Sequence, residues 1–202
     1  MVRAFARVMF SEAARGYQER YGSRASYERV ARQGSAADRL GPMEREFIGR
    51  RDSFYMATVT EDGWPYLQHR GGPQGFLRVL DDSTLAFADF AGNAQYISAG
   101  NLETNDRVAL FLMDYPNQAR LKVIGHAKVV EGDAAVAADA AVAADAAVAA
   151  DAGLEAKVRL DGYTAKVQRV IVVKVVAFDW NCSQHITPRW TEEEVRVVME
   201  SR

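Results

Sequence analysis

The pattern of apolar and polar positions changes character twice along the chain. Up to residue 53 it is helical and charged. Phe10-Ser11-Glu12 reads as a helix start, Ser26–Ala31 as a second helix closed by Gly34, and Gly41-Pro42 before Met43–Ile48 as a third with proline in its first turn. Beyond that point, β-branched and aromatic runs are broken by glycine, aspartate and proline. Phe54–Thr60 and Trp64–Arg70 flank Glu61-Asp62-Gly63, which predicts a hairpin with an Asp-Gly turn. Phe76–Leu80, Thr84–Ala88, Arg107–Met113 and Ala119–Val130 predict further strands, with a short helix from Asn93 to Leu102. Val167–Phe178 is a long β-branched run, and Thr191 followed by three glutamates opens a terminal helix to Met199. Strands joined by hairpins, without regular alternation with helices, predict a mainly β antiparallel sheet or barrel with flanking helices. They exclude a doubly wound nucleotide fold.

One tract departs from both patterns. Ala134–Asp151 is the unit Ala-Ala-Val-Ala-Ala-Asp three times over. Alanine favours a helix, but six residues at about 100° each advance by about 600°. Val136, Val142 and Val148 then share no face, so such a helix has no stripe with which to dock. The tract reads as a lengthened connector. The expected organisation is a helical segment over 1–53, a barrel over 54–190 interrupted at 134–151, and a terminal helix over 191–202.

Composition narrows the functional classes. The chain has 202 residues, 26% of them charged, with a formal net charge of -2, which argues against a general nucleic-acid surface. One cysteine leaves no intramolecular disulfide framework and no multi-cysteine zinc module. No apolar run reaches the roughly 18 residues of a membrane helix, and the first ten residues make a poor secretory signal; the expected location is the cytoplasm. Phosphate-loop, Gly-x-Gly-x-x-Gly, His-Glu-x-x-His and Gly-x-Ser-x-Gly patterns are all missing. Cys182 and His185 stand three apart, but the other histidines, His69 and His126, add no ligand spacing, so no metal site is expected.

The cations within the strands are more informative. In Arg120-Leu121-Lys122-Val123, period two puts Arg120 and Lys122 on one face about 7 Å apart, a spacing that suits a phosphate. Arg70, at the end of its strand and followed by Gly71-Gly72, is placed to converge on them. Asp89–Tyr96 ends a strand and opens a helix, with Asn93 as the expected cap of an anion-favouring N-terminus. Trp180, His185, Arg189 and Trp190 combine aromatic and cationic groups, which suits a planar, electron-rich ligand.

Together these segments resemble the FMN-binding split-barrel superfamily, and within it the pyridoxamine 5′-phosphate oxidase-related flavoproteins. The residues that carry the resemblance are Phe54–Val59, Asp62–Pro73, Leu85–Asn93, Asn105–Phe111 and Phe178–Arg189, within roughly 40–131 and 165–195. The resemblance implies an antiparallel split barrel that forms a homodimer with FMN at the subunit interface. It implies cofactor contacts from Gln68, His69 and Arg70, and from the strand-to-helix turn holding Asp89, Phe90, Asn93 and Gln95. Arg120 and Lys122 would face the cofactor, and Trp180, His185 and Arg189 would lie near its ring system. The implied activity is hydride transfer from a small substrate to flavin N5. The alternative is a non-catalytic binder or sensor of FMN or another flat anionic cofactor, such as haem or a deazaflavin. A third possibility is an interaction module docked through the alanine tract. Asn181–His185 replaces the pyridoxal phosphate-binding signature of the authentic oxidase, so vitamin B6 oxidation is not implied, and no side chain is singled out as an acid or base.

Overall fold

A computed structural model describes residues 3–32, 38–131, 153–180 and 183–200. The alanine tract, Gly34 and Cys182 lie outside the described residues. Among the described residues, seven strands form one antiparallel sheet: β1 (Ser53–Val59), β2 (Pro65–Gly71), β3 (Arg78–Val79), β4 (Thr84–Phe90), β5 (Arg107–Asp114), β6 (Ala119–Glu131) and β7 (Val167–Trp180). Their order is β2-β1-β5-β6-β7-β4-β3. The expected hairpin is β1–β2, in register from Ser53↔Gly71 to Val59↔Pro65. Its turn is closed by Gly63 at φ +86°, a conformation that glycine adopts without strain.

Alternation along the strands decides what fills the core. Phe54, Met56 and Thr58 of β1 and Val108, Leu110 and Leu112 of β5 point inward, as do Leu121 and Val123 of β6. The sheet curls until its distant members meet. Phe54 of β1 stacks on Phe76 at 5.5 Å and packs edge-on against Phe87 of β4 at 5.1 Å. Strands β2 and β4 have no backbone ladder between them among the described residues, so the barrel is split rather than closed. The split is bridged by side chains, with Arg70 of β2 paired to Asp89 of β4.

Strand β6 bends where its register with β7 slips between Ile124 and Gly125. A Cβ at Gly125 would collide with the Lys174 carbonyl oxygen and crowd Val173. Gly125→Ala is therefore expected to destabilise the protein by about 1–3 kcal/mol, as overpacking does. A lowered urea midpoint is the measurement.

Among the described residues, seven helices flank the sheet: α1 (Arg3–Met9), α2 (Glu12–Arg20), α3 (Arg24–Arg32), α4 (Pro42–Gly49), α5 (Ile97–Thr104), α6 (Leu154–Val158) and α7 (Glu192–Glu200). Ser11 caps α2 through the Ala14 N–H. Thr191 and Glu194 cap α7 reciprocally, the Thr191 hydroxyl accepting from the Glu194 N–H and the Glu194 carboxylate from the Thr191 N–H. None of the described helices is long and apolar enough to cross a membrane.

Two local expectations are corrected. The strand read over Phe76–Leu80 contracts to Arg78–Val79. Gly75, at φ +78°, and a Phe76 N–H bond to the Pro73 carbonyl form a turn that drives Phe76 and Leu77 into the core. Asn93 does not cap α5. The cap position is Tyr96, at φ +55° and without a side-chain cap, while Asn93 closes a small turn by accepting from the Gln95 N–H.

Candidate functional site

The register builds the floor of a groove on the outer face of the sheet. Tyr55 pairs with His69 on one side and Phe111 on the other; Phe111 pairs with Lys122, and Lys122 with Asp179. Residues paired across an antiparallel sheet share a face, so this row runs across five strands. Beside it lie Leu67, Ala57, Ala109 and Ile124, then Met113 and Arg120. The tail after β7 returns over this floor, held where the Gln118 amide donates to the Ile186 carbonyl at 2.6 Å. It brings His185, Thr187 and Arg189 to the rim, and α1 brings Phe5 and Met9. The volume of the groove is about 670 Å³, within the roughly 300–1,000 Å³ of small-molecule sites.

Electrostatically the groove is one-sided. Arg120, Lys122, His185 and Arg189 line it, and among the described residues Asp179 places a carboxylate beside Lys122 on the floor row. Lys122 is paired with Asp179 at 3.1 Å, and Arg189 lies over the Tyr115 ring at 5.0 Å. The buried Nε of Arg120 has no hydrogen-bond partner among the described residues. A buried donor left unpaired is costly, and an anionic ligand in the groove would satisfy it. The aromatic walls, Tyr55, Phe111 and Tyr115, suit a planar ring.

A second hollow, of about 210 Å³, lies at the split in the barrel, lined by Gln68, Arg70, Asp89, Phe90, Asn93 and Tyr96 among others. Here Asp89 bridges two guanidinium groups, Arg70 and Arg169, the latter at 3.2 Å. Two guanidinium groups thus share this one carboxylate. Arg169 also lies over the Tyr96 ring at 4.8 Å, and the Ser98 hydroxyl donates to Gln68 at 2.9 Å. The N-terminus of α5 opens beside these groups, which suits an anion.

The expected site residues therefore divide between two places. Arg120, Lys122, His185 and Arg189 meet in the groove. Gln68, Arg70, Asp89, Phe90 and Asn93 meet at the split, with Gln95 bonded to Asn93 at the rim. Arg70 does not converge on Arg120 and Lys122, because alternation turns Gln68 and Arg70 away from the face that carries Leu67 and His69. His69 packs edge-on against Tyr55 at 5.5 Å. Trp180 joins neither set. Its indole N–H donates to Glu44 at 2.8 Å and its ring packs edge-on against Phe47 at 4.7 Å, anchoring α4 to β7. No three potential metal ligands cluster among the described residues.

Several lining residues were not singled out from sequence. Tyr55 and Phe111 stand at outward positions of alternating strands, a signal that becomes specific only once β1 and β5 are known to pair. Arg169 and Phe5 carried no local signal.

The sequence model of the family described as pyridoxamine 5′-phosphate oxidase matches residues 40–178. The chain belongs to the pyridoxamine 5′-phosphate oxidase family. The match spans α4 through most of β7, and so includes the split and the groove floor but neither α1 nor the returning tail. No curated protein sequence matches the chain. Solved structures similar to it include an FMN-binding protein from Syntrophomonas wolfei subsp. wolfei, at 14% identity and TM-score 0.49, covering 82% of this chain and 97% of that one. HupZ of Group A Streptococcus is similar at 17% identity and TM-score 0.49, over 75% of this chain and 99% of its own. HutZ, the heme storage protein from Vibrio cholerae, is similar at 17% identity and TM-score 0.38, over 68% and 90%.

Proposed function

We propose that this member of the family is an FMN-binding flavoprotein, working as an oxidoreductase on a small substrate, in a homodimer that closes the cofactor between two copies of the groove. The observation that carries this reading is the groove's pairing of aromatic walls with Arg120, whose buried Nε lacks a partner. Those residues fit a planar anion. The open sheet face around Leu67 and Tyr55, both exposed, supports a second copy as its cover.

FMN, when bound, supplies hydride acceptance at its N5; the hard chemistry belongs to the cofactor. The chain's residues bind and orient it. Arg120 would donate to its anionic group, and Tyr55, Phe111 and Tyr115 would line its ring and exclude water. His185 and Arg189 are positive groups at the rim, suited to stabilising negative charge that develops on the ring. The split, with the Arg70 guanidinium, Asn93 and the N-terminus of α5, is a second place for anionic oxygens.

The absorption spectrum of the purified protein tests this, followed by titration with FMN. Flavin bands, or saturable FMN uptake, are expected; a colourless protein that takes up no FMN overturns the reading. A second reading, retention without turnover, is favoured by the lining itself: aromatic, apolar and cationic groups predominate among its described residues. Stopped-flow mixing with NADH or NADPH separates the two. Reduction of the bound pigment supports the oxidoreductase, and pigment that stays oxidised supports the binder.

A further inference from the structure

Two lining residues of the groove come from ahead of the family match, which begins at residue 40. Phe5 and Met9 stand four apart on α1 and so project from one side of the helix. The opposite attachment is close. Ala4 and Ala6 are buried, small enough to bring the α1 backbone against its neighbours. Asp38, itself buried, accepts from the Ala4 N–H at 3.4 Å and from the Phe178 N–H at 3.3 Å, clipping the start of α1 to β7.

This attachment gives the groove a direction. Along β6, Lys122 and Arg120 are separated by about 7 Å. At the Lys122 end, Asp179 neutralises the ammonium and the Phe5 ring covers it at 4.7 Å from its centroid, with Met9 alongside. At the other end, Arg120 and Arg189 line the groove, and neither has an acidic partner among the described residues. One end is thus apolar and the other cationic.

We propose that α1 is a specificity element of this site. It selects planar aromatic anions whose uncharged ring end reaches Phe5 and Met9 while the anionic end lies at Arg120 and Arg189. This rests on the reading of the groove as the cofactor site, although not on the cofactor being FMN.

The test uses the full chain with Phe5→Ala, Phe5→Leu and Met9→Asp, titrated with FMN and, separately, with the aromatic sulfonate 8-anilinonaphthalene-1-sulfonate, both read by fluorescence. Phe5→Ala and Met9→Asp are expected to weaken binding of both probes about tenfold, as loss of a large apolar contact does, while Phe5→Leu stays within about twofold of the parent. Met9 is already 48% exposed, so Met9→Asp keeps the parent melting temperature and remains informative if Phe5→Ala fails to fold. Unchanged affinity for both probes in Met9→Asp and in folded Phe5→Ala overturns the proposal while leaving FMN binding intact. A parent chain that binds the sulfonate but not FMN, with the same Met9 dependence, upholds the role of α1 and removes FMN. A parent that binds neither overturns both.

Discussion

Asp89→Ala is expected to lower the stability of the protein by about 3–5 kcal/mol, the range found when one partner of a buried ion pair is removed. Asp89 is the carboxylate that Arg70 and Arg169 share, and the three side chains are only 12%, 14% and 9% exposed. Without it, Arg70 and Arg169 lose the carboxylate they share, and the Arg70–Asp89 ion pair that joins β2 to β4 is gone. Equilibrium urea unfolding measures the loss. Asp89→Asn keeps an acceptor for one arginine and should fall between the parent and Asp89→Ala. A midpoint unchanged in Asp89→Ala would mean that the aromatic contacts of Phe54, Phe76 and Phe87 hold the curl by themselves.

Arg120→Ala is expected to act on ligand affinity and not on folding. Its buried Nε has no hydrogen-bond partner among the described residues, so removing the side chain breaks no such bond. If Arg120 makes a charged hydrogen bond to FMN, the loss is about 1.5–3 kcal/mol, or about 10- to 150-fold in Kd, read by flavin fluorescence titration. Arg120→Lys retains the charge but not the planar fork and should recover part of the loss. Equal affinity in Arg120→Ala and the parent would remove Arg120 from the ligand-binding groups.

What was legible in the sequence follows from the range of each signal. Period-two alternation and turn residues are local, and they marked β1, β2, β4, β5, β6 and β7 close to their observed limits, along with the capping residues of α2, α4 and α7. The same alternation put Arg120 and Lys122 on one face, where the groove holds both. The pairing of strands is not local. Asp89 meets Arg169 only because β4 pairs with β7, and Tyr55 joins Phe111 only because β1 pairs with β5. Trp180 shows the converse: an aromatic beside candidate site residues turns inward because Glu44 offers its indole an acceptor. The strand expected at Phe76–Leu80 illustrates a third case, in which an apolar run serves as a plug.

The antiparallel pairing of β6 with β7 makes residues 132–166 the connection of a very wide hairpin, and the alanine repeat falls within it. The entropy of closing such a loop rises only with the logarithm of its length, about 0.6 kcal/mol per doubling. Three copies of the unit supply about half of this connection. Unit-by-unit expansion there is thus nearly neutral for folding, whereas a single added residue inside β6 or β7 would reverse the facing of every side chain beyond it. The chain carries its most repetitive stretch at a position where length has little thermodynamic effect.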